Sequence, residues 1–411
     1  MKKRIYIINV QSVAAAYGIG TYIDQLIESL KYINIDWGII NLLSDQKEIT
    51  ITNKGSYDQI DIPKVAYPPK KVHYYLRNVA YLLKNILPDE SNTQYIFHLN
   101  YIEGHELAFN IKKLFNCKIF LVAHYTEWSF RLFGDYEKLK IILKKSENEL
   151  DNLEKTILKY VNSDKEMINN CDKIICVAKH SLHYFIDICK YDISRCIVIN
   201  NAIKDMYSAK SIIQKKYIKK KLFIPDNYKI VVFAGRLVSV KGVSFLIKAF
   251  KKILETNPNT LLYIAGDGNQ FNQFLSETKD FWGRILFTGR LDKKRLYKLY
   301  SISDIGVVSS IHEEFGLVAL EMMMHKLPVI ATNTGGLGEI IEDNVSGFKI
   351  PIRNIKGKRC VDTTKMIDKI DLLLNNPELA AEIAKNGRRR FLEKYELSIF
   401  KKLMIDFYLN L

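Results

Sequence analysis

The side chains best suited to chemistry are two glutamates, Glu313 and Glu321, in the stretch IHEEFGLVALEMMMHKLPV over residues 311–329. Gly316 closes a polar loop, and Leu317–Met324 then reads as a buried helix running into a strand at 327–331. That placement puts Glu313 on the loop ahead of the helix and Glu321 on its second turn. The N–H groups of Phe315, Gly316 and Leu317 would point out of the helix start, where partial positive charge suits an anion or a polar ligand. A carboxylate at each end of such a nest fits a ligand with hydroxyls at both ends and a phosphate between them.

Elements able to position these groups alternate as strand and helix. In the second half, the strand Lys229–Ala234 (KIVVFA) runs into Gly235 and Arg236, and Lys241-Gly242 opens a helix from Val243. Arg236 and Lys241 thus sit at a strand's carboxyl end, where a fork of donors and a point charge can clamp a diphosphate; alone they would be two exposed basic residues. Further strand-end turns follow at Gly266-Asp267-Gly268, at Gly289-Arg290 before Leu291, and at Thr334-Gly335-Gly336. Five or so strands alternating with helices predict a doubly wound domain. Beyond Pro351 the chain reads as mostly helical, with a break near Tyr395.

The first half begins with an apolar strand at residues 3–10, a loop over 11–20 holding Gly18 and Gly20 (AYGIGTY), and a helix from Thr21. A strand, a glycine loop and a helix start can cradle phosphate, and can equally be an ordinary tight turn. The dinucleotide pattern G-x-G-x-x-G is absent, because Ile23 stands at its third glycine, and no acidic residue is seen closing a second strand. A later strand, KIFLVAH, ends in His124, where ligands collect in open α/β sheets, with Tyr125 and Trp128 after it; His98 has a similar placement. Residues 201–226, rich in Lys and Ser, read as the connection between two domains.

The 411 residues exceed what one core supports, and 48% apolar with 26% charged residues is the make-up of a globular chain. No apolar run approaches the roughly 18 residues of a membrane span. The start MKKR, its apolar run and Ala14-Ala15-Ala16 mimic a secretion signal, but Asn9, Gln11 and Ser12 interrupt it, so it reads as a first strand. Six cysteines with no C-x-x-C and no histidines at metal spacing predict reduced, mostly buried thiols in a cytoplasmic protein. The net charge of +16 gathers at residues 138–145, 215–221 and 388–390. Such clusters are solvated helix faces, or they meet an anionic membrane or acceptor; no nucleic-acid-binding motif accompanies them.

Taken together, FAGRLVSVKG, YIAGDG, the Glu313–Glu321 pair with its Phe-Gly, LPVIA and GGLGEII make the second half resemble the nucleotide-sugar domain of retaining glycosyltransferases of family 4, with the E-x7-E motif. The likeness covers about residues 229–351; the first half contributes the glycine loop, His124 and VINNAIKD at 198–205. AYGIGTY also looks like a bacterial subgroup tied to peptide modification. The resemblance implies a GT-B fold: two Rossmann-like doubly wound α/β domains facing a central cleft. It implies an acceptor-side domain over 1–205, rejoined by a last helix at about 396–411, and a nucleotide-sugar domain over 206–395.

By the same resemblance, Arg236 and Lys241 hold the donor diphosphate, Glu321 the ribose, and Glu313 the donor sugar beside the amides of Phe315, Gly316 and Leu317. His124 approaches the transferred sugar, Gly18 and Gly20 lie near the phosphates, Gly266 belongs to the donor site, and Arg290-Leu291 meets the base. Glu313, His124, Arg236 and Lys241 are then the catalytic set. Two departures stand out: Lys326 where a glycine commonly precedes the L-P-V strand, and Ala202 where N-G is common. The expected activity is metal-independent transfer from a nucleotide-diphosphate sugar to a glycan, lipid-linked or peptide acceptor, in bacterial surface glycan or glycolipid synthesis. No cofactor or metal is expected, since no D-x-D cluster is present, and the expected location is the cytoplasm, peripheral at the inner membrane face. Competing readings are a hydrolase using both glutamates and a non-catalytic nucleotide-sugar-binding protein. The hydrolase needs carboxyls about 5–5.5 Å apart. Here Glu321 lies roughly 7 Å along the helix axis from Gly316, with Glu313 beyond it.

Overall fold

The computed structural model describes residues 2–10, 18–65, 72–88, 92–100 and 105–410. The chain forms two compact units, one of Met1–Leu132, Tyr136–Asn201 and Phe400–Leu411, the other of Phe133–Asp135 and Ala202–Ile399.

Among the described residues the first unit holds eight strands: β1 Lys2–Val10, β2 Asp36–Ser44, β3 Thr50–Asn53, β4 Asp58–Pro63, β5 Thr93–Asn100, β6 Cys117–Ala123, β7 Lys173–Cys176 and β8 Cys196–Val198. Their order is β3-β4-β2-β1-β5-β6-β7-β8, parallel throughout except for the edge strand β3. β1 is central because Ile5, Ile7 and Ile8 are apolar on both faces, as a strand covered on both sides requires. One face packs against the helix Val72–Ile86 through Leu76, Val79 and Leu83; elsewhere Trp128, Ile157, Val161 and Tyr184 form a second core.

Several expectations for this half need correcting. β2, β3, β4 and the helix Val72–Ile86 are elements the sequence reading did not place. Asp45 directly follows β2, so an acidic residue does close a second strand. The first helix is Gly18–Leu30, so Gly18 and Gly20 lie in its opening turn and not on a loop; residues 11–17 of the predicted loop lie outside the described residues. Ile19, Tyr22, Ile23 and Leu26 are buried at helical spacing, and that stripe carries the helix back through the glycines. His98 is structural: fully buried, it lies between the Tyr408 hydroxyl on Nδ1 (2.5 Å) and the Tyr22 hydroxyl near Nε2 (3.3 Å). Through Tyr408 it ties the helix Leu397–Leu409 to this sheet.

The second unit has six parallel strands: β9 Lys229–Ala234, β10 Thr260–Ala265, β11 Ile285–Gly289, β12 Ile305–Val308, β13 Val329–Thr332 and β14 Phe348–Ile350. Their order is β11-β10-β9-β12-β13-β14. The chain winds outward from β9 through β10 to β11, then returns to the far side of β9 with β12. Both units therefore have a point where the winding reverses, between β9 and β12 here and between β1 and β5 in the first unit. Crevices for ligands open at such points, beyond the strands' carboxyl ends. The supposed connection over 201–226 contains a helix, Ile212–Lys221, started by the Ser211–Gln214 capping box.

Lys326 explains its own departure from glycine. It has φ +55 and closes the helix Leu317–Met324, its N–H bonding the Met323 carbonyl and the Leu327 N–H that of Met322. Glycine is favoured there because a Cβ crowds a left-handed backbone. Lys326→Gly is expected to stabilise the protein by about 1 kcal/mol, read as a raised thermal midpoint. Ala202 is buried and not left-handed, so it needs no glycine.

No described helix is long and apolar enough to cross a membrane. All six thiols are free. Cys171, Cys176 and Cys189 are buried and Cys117, Cys196 and Cys360 half-buried, less covered than expected. Burial pushes the thiols of Cys171, Cys176 and Cys189 up to about 12, which leaves them unreactive at neutral pH.

Candidate active site

The turns after β9, β10 and β11 are laced by main-chain bonds: Gly235 N–H to Ala265 (2.9 Å), Gly266 N–H to Gly289 (2.9 Å) and Leu237 N–H to Asp267 (2.7 Å). Gly266 takes φ +154, and a Cβ there would fall 1.8 Å from the Gly235 carbonyl oxygen. The sequence pattern Gly235…Gly266 thus lets two strand ends touch backbone to backbone. Arg236 is exposed on the first of these turns, Arg290 on the third, and Leu291 is half-buried beside it.

Lys241 ends a 3-10 turn, Ser239–Lys241, followed by Gly242 at φ +63. This turn lies against the loop after β12. Ser309 Oγ donates to the Lys241 carbonyl (2.9 Å), and Ile311 N–H bonds the Val240 carbonyl (2.7 Å). A Cβ on Gly242 would come 2.1 Å from the Ser309 oxygen. The result is direct contact between two residues selected on sequence grounds: Lys241 Nζ lies 2.5 Å from Glu313 Oε2, with each side chain about one-fifth exposed (18% and 19%). Ser310 Oγ donates to the same carboxylate oxygen at 3.0 Å, a contact that sequence reading missed.

Beside this pair lies the start of the next helix. Gly316, at φ +116, precedes the helix Leu317–Met324, and no side chain caps it, so first-turn N–H groups remain available. Phe315 is buried, its ring edge-on to Tyr395 at 6.1 Å. Gly336 N–H bonds the Glu313 carbonyl (3.0 Å), and a Cβ on Gly336 would overlap the Phe315 backbone at 2.4 Å. Gly336 of GGLGEII lets the loop that carries Glu313 seat against it.

Glu321 occupies a different neighbourhood, facing the helix Lys293–Ile302. The Tyr300 hydroxyl reaches its Oε2 at 3.5 Å, and Tyr297 bonds it as well. Burial raises the Glu321 carboxyl to about 7; Lys293 and the two tyrosine hydroxyls pull the other way. Sequence reading missed Tyr297, Tyr300 and Lys293. Their spacing, Tyr to Tyr at i, i+3 with Lys one turn earlier, was the only signal available.

In the first unit, His124 follows β6. Its Nε2 lies 3.0 Å from Asn100 Oδ1 and its ring meets the Tyr22 ring edge-on at 4.7 Å. Burial pushes His124 down to about 3, so the imidazole is neutral at physiological pH. Asn100 and Asn9 are register partners at the carboxyl ends of β5 and β1, where the winding reverses. The buried Asn100 Nδ2 and Asn9 Oδ1 have no partner among the described residues. A cavity of about 110 Å³ adjoins the end of β6, lined by His124, Thr126, Glu127, Ser163 and Asp164 among others. Asp164, bonded by the Tyr184 hydroxyl at 2.6 Å, is pushed up to about 6 by burial. Gly18 is exposed and Gly20 half-buried in this unit's first helix.

Comparison with known proteins follows the same division. An uncharacterised glycosyltransferase of Methanocaldococcus jannaschii is 31% identical over 198 residues, 47% of this chain and 48% of that one. An N-acetyl-alpha-D-glucosaminyl L-malate synthase of Bacillus anthracis is 31% identical over 180 residues, 43% and 44% of the two chains. The chain thus spans about half the length of the curated relatives it matches. A sucrose-phosphate synthase structure from Thermosynechococcus elongatus superposes with a TM-score of 0.76 at 20% identity, over 100% of this chain and 99% of that one. The fold is GT-B, with two parallel-sheet domains. Residues 214–390 match the family model of glycosyl transferases group 1, and the second unit carries a domain of that group.

Proposed function

We propose that this protein is a metal-independent retaining glycosyltransferase of family 4, moving a sugar from a nucleotide-diphosphate sugar to an acceptor. The observation that carries the reading is the Lys241–Glu313 pair at the winding reversal between β9 and β12, inside the glycosyl transferases group 1 domain. In this reading Lys241 and Arg236 receive the diphosphate, Gly266 and the amides of Phe315, Gly316 and Leu317 line the donor, and Glu313 turns from Lys241 to the sugar hydroxyls. Glu321 accepts from the ribose, Arg290 and Leu291 meet the base, Gly18 and Gly20 lie near the phosphates, and neutral His124 contacts the transferred sugar. The bond from the anomeric carbon to phosphate breaks as the bond to the acceptor oxygen forms on the same face. The acceptor proton passes to the departing phosphate. Lys241 and Arg236 stabilise the charge that develops there, in place of a metal.

The acceptor is a glycan, a lipid-linked sugar or a peptide, in bacterial cell-surface synthesis at the cytoplasmic face of an anionic membrane. A thermal-shift screen with UDP, GDP and ADP and their common sugars identifies the donor. Stabilisation by one nucleotide family, followed by transfer to an acceptor, supports the reading. Tight nucleotide binding with neither transfer nor donor hydrolysis would instead mark a binding protein. Release of sugar from a glycoside without any nucleotide sugar would mark a hydrolase.

The raised carboxyl of Glu321 makes donor binding depend on pH. With its pKa raised from 4.5 to about 7, Glu321 holds its proton better in the folded chain. Its contribution to stability is complete below about 4.5 and is lost as pH rises through about 7. Ribose hydroxyls donate better to a carboxylate than to a carboxylic acid, so ligand affinity runs the opposite way. Nucleoside diphosphate affinity is expected to increase between about pH 6 and 8, and Glu321→Gln to flatten the profile. Calorimetric titration across that range checks this, and a flat profile for the unmodified protein removes Glu321 from the ribose site.

A further inference from the structure

The helix Ile212–Lys221, IIQKKYIKKK, carries five lysines and no acidic residue. Its Ile218 is the one buried side chain, and Lys219 folds back to the Tyr228 carbonyl at 2.8 Å. At about 100° per residue, Ile213, Lys216, Tyr217 and Lys220 share the outward face. Ile212 is 75% exposed, Ile213 80% and Tyr217 58%. Phe223, just past the helix end, is 94% exposed. It adopts φ +56 at the left-handed closing position, held by bonds from its N–H to Lys220 (3.1 Å) and from Ile224 N–H to Lys219 (2.9 Å). Glycine is favoured at that position. Neither backbone geometry nor packing therefore favours a phenylalanine there. Contiguous exposed Ile, Tyr and Phe on one element mark an interaction surface.

The adjacent helix Lys293–Ile302 adds exposed Lys294, Arg295 and Lys298. The nearby acids are few and paired: Asp226 with Lys216 at 3.7 Å, Asp292 with Arg295 at 3.4 Å, and Asp304 with Lys229 at 3.5 Å. The surface is thus basic with apolar side chains set among the lysines. Phosphate-backbone binding would use the lysines and leave two isoleucines in water, whereas an anionic bilayer takes both kinds of side chain.

We propose that the helix Ile212–Lys221 and Phe223 dock the protein on an anionic lipid bilayer, with the lysines at the headgroups and Ile213, Tyr217 and Phe223 in the interface. This deepens the membrane-surface part of the proposed function by naming the docking element, and it does not depend on the transfer chemistry. The full chain is expected to float with phosphatidylcholine vesicles only when they contain phosphatidylglycerol. Binding should weaken about fivefold for each of Lys215, Lys216, Lys220 and Lys221 changed to Gln. Ile213→Ser with Tyr217→Ser should also release the protein. Phe223→Gly separates docking from folding: vesicle binding weakens while the thermal midpoint rises, because the left-handed position is relieved. Transfer to a soluble acceptor, measured in parallel, stays unchanged in these variants, and its absence in every form would count against the transfer reading alone. No binding by the unmodified chain, binding equal in the lysine variant, or binding to an RNA oligonucleotide but not to vesicles each overturns the proposal.

Discussion

Under the proposed function, Lys241→Ala is expected to lower kcat/KM for sugar transfer by about 10²–10³-fold, the range for removing one preorganised group from developing charge. The position supports an effect this large. Lys241 sits on a turn pinned by Ser309 and by the Ile311–Val240 main-chain bond, so its ammonium is aimed before any ligand arrives. It pairs with Glu313, and in the proposed reading a diphosphate replaces that carboxylate as its partner. Lys241→Arg keeps the charge but exchanges a point for a planar fork, and is expected to recover only part of the rate. Steady-state kinetics with circular dichroism as a folding control checks this. Unaltered turnover in the folded alanine variant removes Lys241 from the catalytic set.

Gly266→Ala is expected to destabilise the protein by about 3 kcal/mol, as overpacking against an immovable neighbour does. The clash is with backbone: the new methyl would lie 1.8 Å from the Gly235 oxygen, and both strand ends are held by main-chain hydrogen bonds. Relief requires β9 and β10 to part just before Arg236, so under the proposed function donor affinity is expected to fall together with stability. Gly283 is the control, since a Cβ there meets nothing within 4 Å. Gly283→Ala should be neutral or slightly stabilising through the reduced freedom of the unfolded chain. Equal thermal midpoints for the two variants would show that the strand ends are not tightly joined.

Much of the second unit was legible beforehand because its strands are short apolar runs ending in glycine turns. Leu317–Met324 is apolar nearly all round, and its helix start was legible from the polar loop that Gly316 closes. The first unit was less legible for reasons that can be named. β3, TITN, is an exposed edge strand whose polar residues carry no alternation to read. β2 is nearly continuously buried, and a short apolar run does not distinguish strand from helix. Gly18 and Gly20 read as loop because glycine is a poor helix former, yet the buried face of Tyr22 and Leu26 against the sheet outweighs propensity.

What the sequence determined alone was the set of groups: two strand-end cations, two glutamates about a helix start, and the glycines that let backbones approach. These follow from local rules, since propensity, periodicity and positive-φ positions act within a few residues. Which of those groups meet was decided only by tertiary structure. Lys241 and Glu313 lie 72 residues apart and pair because β12 returns to lie beside β9, a consequence of how the sheet winds. The two glutamates, neighbours in sequence, part company for the same reason. Glu313 faces Lys241 across the β9–β12 reversal, while Glu321 faces Tyr297 and Tyr300, and its own burial raises its proton affinity against the pull of their hydroxyls.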